Sequence, residues 1–147
     1  SLILEVKTSI LMLCLGKICC SPLAEGILKK KLPRGRFRVY SAGTAGYLFG
    51  YLTYHRGIEV AENNGIDIRH QKTRKFYQDD FYFFDKIFDM DRSKHTKIRK
   101  MDLTSDHKRK VAMLLENDEV LNPYYGNEDS FKKVFELIDE ACDQLSD

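Results

Sequence analysis

With 147 residues, 43% of them hydrophobic, the chain can bury one sizeable core and reads as a single domain spanning 1–147. A formal net charge of +2 offers no strong field to gather nucleic acid or a membrane surface, and no apolar run is long enough to span a bilayer. Four cysteines, three of them within positions 14–20, are a poor disulfide framework and suit a reducing cytoplasm. The opening Ser1-Leu2-Ile3-Leu4 lacks the basic flank of a signal peptide and reads as an appendage or a short extra strand.

The apolar run Ile10 to Leu13 predicts a buried strand of a parallel sheet. The chain then turns through Cys14-Leu15-Gly16-Lys17-Ile18-Cys19-Cys20-Ser21. Pro22 is tolerated in the first turn of a helix, which makes Ser21 a natural N-cap. Strand, glycine-containing loop and helix N-terminus aim successive N–H groups and a helix dipole at one point, an anion site. A cysteine at the strand's end, facing that concavity, would have a depressed pKa and be a thiolate nucleophile; in isolation Cys14 reads rather as a buried, inert thiol.

Leu23, Ile27, Leu28 and Leu32 form one helical stripe, with Lys29, Lys30 and Lys31 favouring the dipole in the last turn and Pro33 ending it. Arg36 to Tyr40 reads as a second strand running into Ser41-Ala42-Gly43-Thr44, so the two strands and their crossover make one βαβ unit. Ala45 to Thr53 has no period and reads as a loop. Ile58, Val60 and Ala61 lead to Asn63-Asn64-Gly65, a helix C-terminus signal. Phe76 to Phe84 is aromatic enough for a short helix packed on the core, and Asp85 to Met90 reads as the third strand, with Asp91 or Ser93 capping a following helix. Val111 to Leu115 reads as the fourth strand. Phe131, Val134, Phe135, Ile138, Ala141, Cys142 and Leu145 repeat at helical spacing in a closing helix over 130–145. The expectation is an α/β fold: three layers, a doubly wound four-stranded parallel sheet in order 2-1-3-4 with helices on both faces, and a site at the carboxyl ends of the strands.

The loop after the first strand resembles the signature of the low molecular weight protein tyrosine phosphatase family, V-C-L-G-N-I-C-R-S-P. The same register here reads L-C-L-G-K-I-C-C-S-P, from Leu13 to Pro22. The resemblance makes Cys14 the nucleophile and Leu15, Gly16, Lys17, Ile18, Cys19, Cys20 and Ser21 the phosphate-binding loop. The family's loop asparagine is Lys17, and its phosphate-binding arginine is Cys20. The family's second signature, D-P-Y-Y-G, reads Asn122-Pro123-Tyr124-Tyr125-Gly126, with Asn122 where the general acid belongs. Ser41 and His70 match family residues that orient the loop, and Tyr47, Tyr124 and Tyr125 match positions that flank the substrate cleft. The family's G-N-P-P-D-P-R is Gly50-Tyr51-Leu52-Thr53-Tyr54-His55-Arg56, either an altered substrate wall or an ordinary surface loop.

By resemblance the activity is phosphomonoester hydrolysis through a cysteinyl-phosphate, without cofactor or metal, on a phosphotyrosine peptide. A neutral thiol at position 20 cannot grip a phosphoryl group bidentately as a guanidinium does, and Asn122 cannot donate a proton, so impaired or absent turnover is expected. Two other readings stay open. One is a pseudophosphatase that holds phosphate, sulfate or phosphotyrosine without turnover. The other is a thiol redox protein built on Cys14, Cys19 and Cys20, in which, as the family implies, Cys14 and Cys19 pair as a protective disulfide. A zinc site on the three cysteines lacks a fourth ligand from any motif. A monomer or weak dimer, without nucleic-acid or membrane partner, is expected.

Overall fold

The computed structural model describes residues 7–14, 20–43, 55–71, 74–89, 104–114 and 128–146. In chain order these form β1 (Thr8–Cys14), α1 (Cys20–Lys31), β2 (Phe37–Gly43), α2 (His55–Asn63), α3 (Asp80–Phe83), β3 (Lys86–Asp89), α4 (Ser105–Lys110), β4 (Val111–Met113) and α5 (Glu128–Ser146). The four strands make one sheet in the order β2-β1-β3-β4, and every pairing is parallel, as expected.

Strand alternation explains why β1 carries no polar face. Ile10 and Met12 point into a core shared with α1, α2 and α5, where Leu23, Ile27, Leu28, Val60, Phe135 and Ile138 meet them. Leu11 and Leu13 point the other way, into a second cluster with Ala42, Phe76, Phe81, Phe84, Ile87 and Val111. Both faces of the strand are therefore dry from Ile10 to Leu13, whereas Thr8 and Ser9 at its start are half-buried.

The elements depart from the sequence expectations at particular points. α1 begins at Cys20, so Ser21 lies inside its first turn, fully buried, rather than serving as its N-cap; Pro22 still falls where no intrahelical N–H is required. β2 continues through Gly43 because Ser41 to Gly43 pair with Met12 to Cys14. β4 stops at Met113, and the helix within the aromatic stretch is only four residues long. α4 had no counterpart in the sequence reading, although Thr104 caps it, its Oγ1 accepting from the His107 N–H at 3.2 Å. The closing helix buries Phe135, Ile138, Ala141 and Cys142 but leaves Leu145 36% exposed, because the helix outruns the core it covers. The capping residues Asp91 and Ser93 lie outside the described residues. Asn63-Asn64-Gly65 ends α2 as expected: Ile66 N–H reaches Ala61 C=O at 2.8 Å, Gly65 N–H reaches Glu62 C=O at 3.0 Å, and Gly65 has φ of 75°. Among the described residues no helix is long and apolar enough to cross a membrane.

Gly26 sets how closely α1 approaches the segment after α2. A Cβ at this position would lie 2.4 Å from Ile68 Cγ2 and 3.1 Å from Ile66 Cγ2. Glycine inside a helix normally costs about 1 kcal/mol relative to alanine. Here Ile68 is fully buried and β-branched, so it cannot swing aside, and overpacking costs about 1–3 kcal/mol. Gly26→Ala is therefore expected to lower the urea midpoint at unchanged m-value. A raised midpoint would mean that the helix moves away without penalty.

Candidate active site

β1 lies between β2 and β3, and its last residue, Cys14, pairs with Gly43. α1 starts at Cys20, so a short connection over 15–19 leads from the end of a central strand into a helix N-terminus. In an open parallel sheet this is the place where a ligand can meet backbone N–H groups and the positive end of a helix dipole. The structure thus fixes the strand end and the helix start. Leu15, Gly16, Lys17, Ile18 and Cys19 lie outside the described residues, as do Tyr47, Asn122, Tyr124 and Tyr125, and the side chains of Cys14 and Cys20 are likewise not described.

Around this corner the described side chains form a polar network. Ser41, buried on β2, donates its hydroxyl to Glu25 Oε1 at 2.7 Å. Glu25, also buried, lies on the second turn of α1 and accepts from Lys29 Nζ at 2.5 Å. One carboxylate so ties β2 to α1 a turn after the helix begins, leaving neither the hydroxyl nor the carboxylate unpaired in the interior. Glu25 was not singled out from the sequence; its only local signal is the i,i+4 spacing to Lys29, a pattern common on exposed helix faces.

His70 is exposed and reaches the same place from the far side. It lines a cavity of about 500 Å³ together with Ser41, Glu25, Lys29, Asp67 and Arg74. Two residues singled out from the sequence, Ser41 and His70, are therefore brought to one cavity, with Glu25 joining them. Asp67 is committed to Arg69, whose side chain and backbone N–H both donate to it, and these bonds hold its carboxyl well below the usual range. Arg74 comes to the same corner because its C=O accepts from the Gly43 N–H at 2.8 Å. Its guanidinium forks onto the buried Asp80, with two contacts of 3.0 Å. Asp89, at the carboxyl end of β3 beside Leu13, is a further buried carboxylate close to the strand end, hidden in the sequence within an ordinary strand pattern.

The comparisons agree with this geometry. The family profile described as low molecular weight phosphotyrosine protein phosphatase matches residues 9–147. The low molecular weight phosphotyrosine protein phosphatase of Gallus gallus is 36% identical over 148 residues, covering 94% of this chain and 92% of that protein. A protein tyrosine phosphatase from Entamoeba histolytica, solved with Hepes in its active site, superposes with a TM-score of 0.87 at 30% identity, over 95% of this chain and 94% of its own. Vibrio vulnificus Wzb, solved in complex with benzylphosphonate, gives 0.85 at 26% identity, over 96% and 98%. With a family match over nearly the whole chain and a relative more than one third identical, this chain belongs to the low molecular weight phosphotyrosine protein phosphatase family.

Proposed function

We propose that the connection between Cys14 and Cys20 binds the phosphoryl group of an aryl phosphate such as phosphotyrosine, and that turnover there is impaired. The observation that carries this reading is the position of Cys14: last residue of a central parallel strand, one short loop before a helix N-terminus. In the intact reaction the thiolate attacks phosphorus, the aryl oxygen leaves as an acid protonates it, and water then releases phosphate from the cysteinyl-phosphate. Cys14 supplies the nucleophile, the loop amides and α1 dipole stabilise the anion, and Ser21, Ser41 and His70 support the loop. Lys17 offers a point charge without a fork. Cys20 replaces the guanidinium, Asn122 the acid, and Arg74 is held by Asp80, so among the described residues it is not available to replace the missing arginine. Tyr47, Tyr124 and Tyr125 are assigned to the cleft wall, where an aryl group would stack. The Vibrio relative's benzylphosphonate is a ligand of this class.

Alkylation tests the binding half of the reading. Vanadate or phosphate seated over the thiolate is expected to slow iodoacetamide labelling of Cys14, read by mass spectrometry after trypsin, which cuts at Lys17 and separates Cys14 from Cys19 and Cys20. Cys142 serves as the internal standard: burial pushes its thiol up to about 12, so it stays unlabelled in the native protein. Equal labelling of Cys14 with and without tens of millimolar phosphate would remove the anion site and favour the redox reading of Cys14, Cys19 and Cys20.

A further inference from the structure

β2 is an edge strand, and its pleat decides which backbone groups face outward. Gly43 donates to Arg74 C=O at 2.8 Å and accepts from Phe76 N–H at 2.7 Å, so a short parallel contact with Lys75 closes the edge at its carboxyl end. On the inner side Thr8 N–H donates to Arg36 C=O at 2.9 Å. Alternation along the strand then turns the peptide groups of Arg36, Arg38 and Tyr40 toward β1, and those of Phe37, Val39 and Ser41 outward with Gly43. Pro33 C=O takes the Phe37 N–H at 3.2 Å. The N–H and C=O of Val39 and Ser41 have no backbone partner among the described residues.

Beside these groups lies a cavity of about 410 Å³, lined by Lys29, Arg34, Phe37, Arg38, Val39 and Tyr40. Among the described residues no acidic side chain lines it. Lys29 is paired with Glu25, whereas Arg34 and Arg38 are exposed and have no carboxylate partner among the described residues. We propose that the outer edge of β2 from Phe37 to Ser41 takes an extended acidic segment of a partner protein as an additional strand, with its carboxylates on Arg34 and Arg38. Main-chain bonds at an edge provide affinity and the flanking side chains choose the occupant. Arginines on an edge also deter unwanted pairing. They do so selectively: a second copy of this edge, with Arg36 just before β2 and Arg38 within it, would set like charges against each other, whereas an acidic strand turns that repulsion into attraction. Val39 stands four residues before Gly43, about 13 Å along the strand from the level of Cys14, and Ser41 about 7 Å from it, so the docked strand ends short of that level. The surface therefore works whether or not the loop turns over substrate.

The probe is an acetylated, amidated hexapeptide alternating glutamate and valine, titrated into the ¹⁵N-labelled chain. Amide shifts centred on Val39 and Ser41 are expected. Affinity should fall about tenfold in the Arg34→Glu/Arg38→Glu variant; both side chains are exposed, and Arg34→Gln/Arg38→Gln serves should charge reversal disturb the fold. The same peptide with alternate backbone amides methylated keeps its charges but cannot form the ladder, and should not bind. Undiminished binding of the methylated peptide, or of the native peptide by the double variant, overturns the proposal. So does arginine-dependent binding to phosphatidylserine vesicles without peptide-induced shifts, which would make the patch a lipid contact.

Discussion

With p-nitrophenyl phosphate, the unchanged chain is expected to turn over slowly or not at all, and Cys20→Arg is expected to raise the rate by about 10³-fold or more. Arginine contacts to a transferring phosphoryl group are worth about 10³–10⁵ in comparable chemistry, because the fork matches the oxygens that carry developing charge. Adding Asn122→Asp should matter less on this substrate, whose nitrophenolate leaves without a proton, and more on phosphotyrosine, where general acid catalysis contributes about 10²–10⁴. The two gains need not multiply, since groups acting on one transition state are coupled. Cys14→Ser in the repaired chain should abolish the activity. The decisive adverse result is robust phosphotyrosine hydrolysis by the unchanged chain that Cys14→Ser removes, for then neither position 20 nor position 122 limits the reaction.

The parts of this fold legible in the sequence are those governed by neighbours in the chain. The run Ile10 to Leu13 is apolar at every position because both faces of β1 are covered, and that pattern marked a buried strand of a parallel sheet; its central place followed from the family resemblance and the strand-helix alternation. Gly65 marked the end of α2 because only glycine adopts its backbone conformation at no steric cost. The position of Cys14 at a strand end was legible because the apolar run stops there, while its proposed role was implied only by the motif from Leu13 to Pro22. Glu25 was not: its partner Ser41 is sixteen residues away on another element, and nothing local separates a buried ion-paired glutamate from an exposed one. The aromatic stretch from Phe76 to Phe84 announced packing without telling which rings are inside. The start of α4 carried a usable signal, Thr104 before Ser105 and Asp106, but one short polar helix shows too little periodicity to stand out.

Phe81→Ala is expected to be the most destabilising single change on the second face of the sheet, about 3–5 kcal/mol, while Phe83→Ala two residues later should fall within about 0.5 kcal/mol of the parent. Phe81 is fully buried, whereas Phe83 is 74% exposed. The Phe81 ring meets Phe76 edge-on with centroids 5.2 Å apart and stacks on His107 at 5.7 Å, and its C=O accepts from Lys110 Nζ at 2.7 Å. It therefore joins α3 to α4 as well as covering the sheet, and alanine would leave a cavity bounded by elements too short to collapse into it. Leu13 belongs to the same cluster and directly precedes Cys14, so loosening this cover acts on the strand end that carries the proposed nucleophile. Urea unfolding of both variants measures the first effect, and protection of Cys14 from iodoacetamide by vanadate measures the second. A Phe81→Ala chain with an unchanged midpoint and undiminished protection would show that the α3 face neither holds the sheet together nor positions the end of β1.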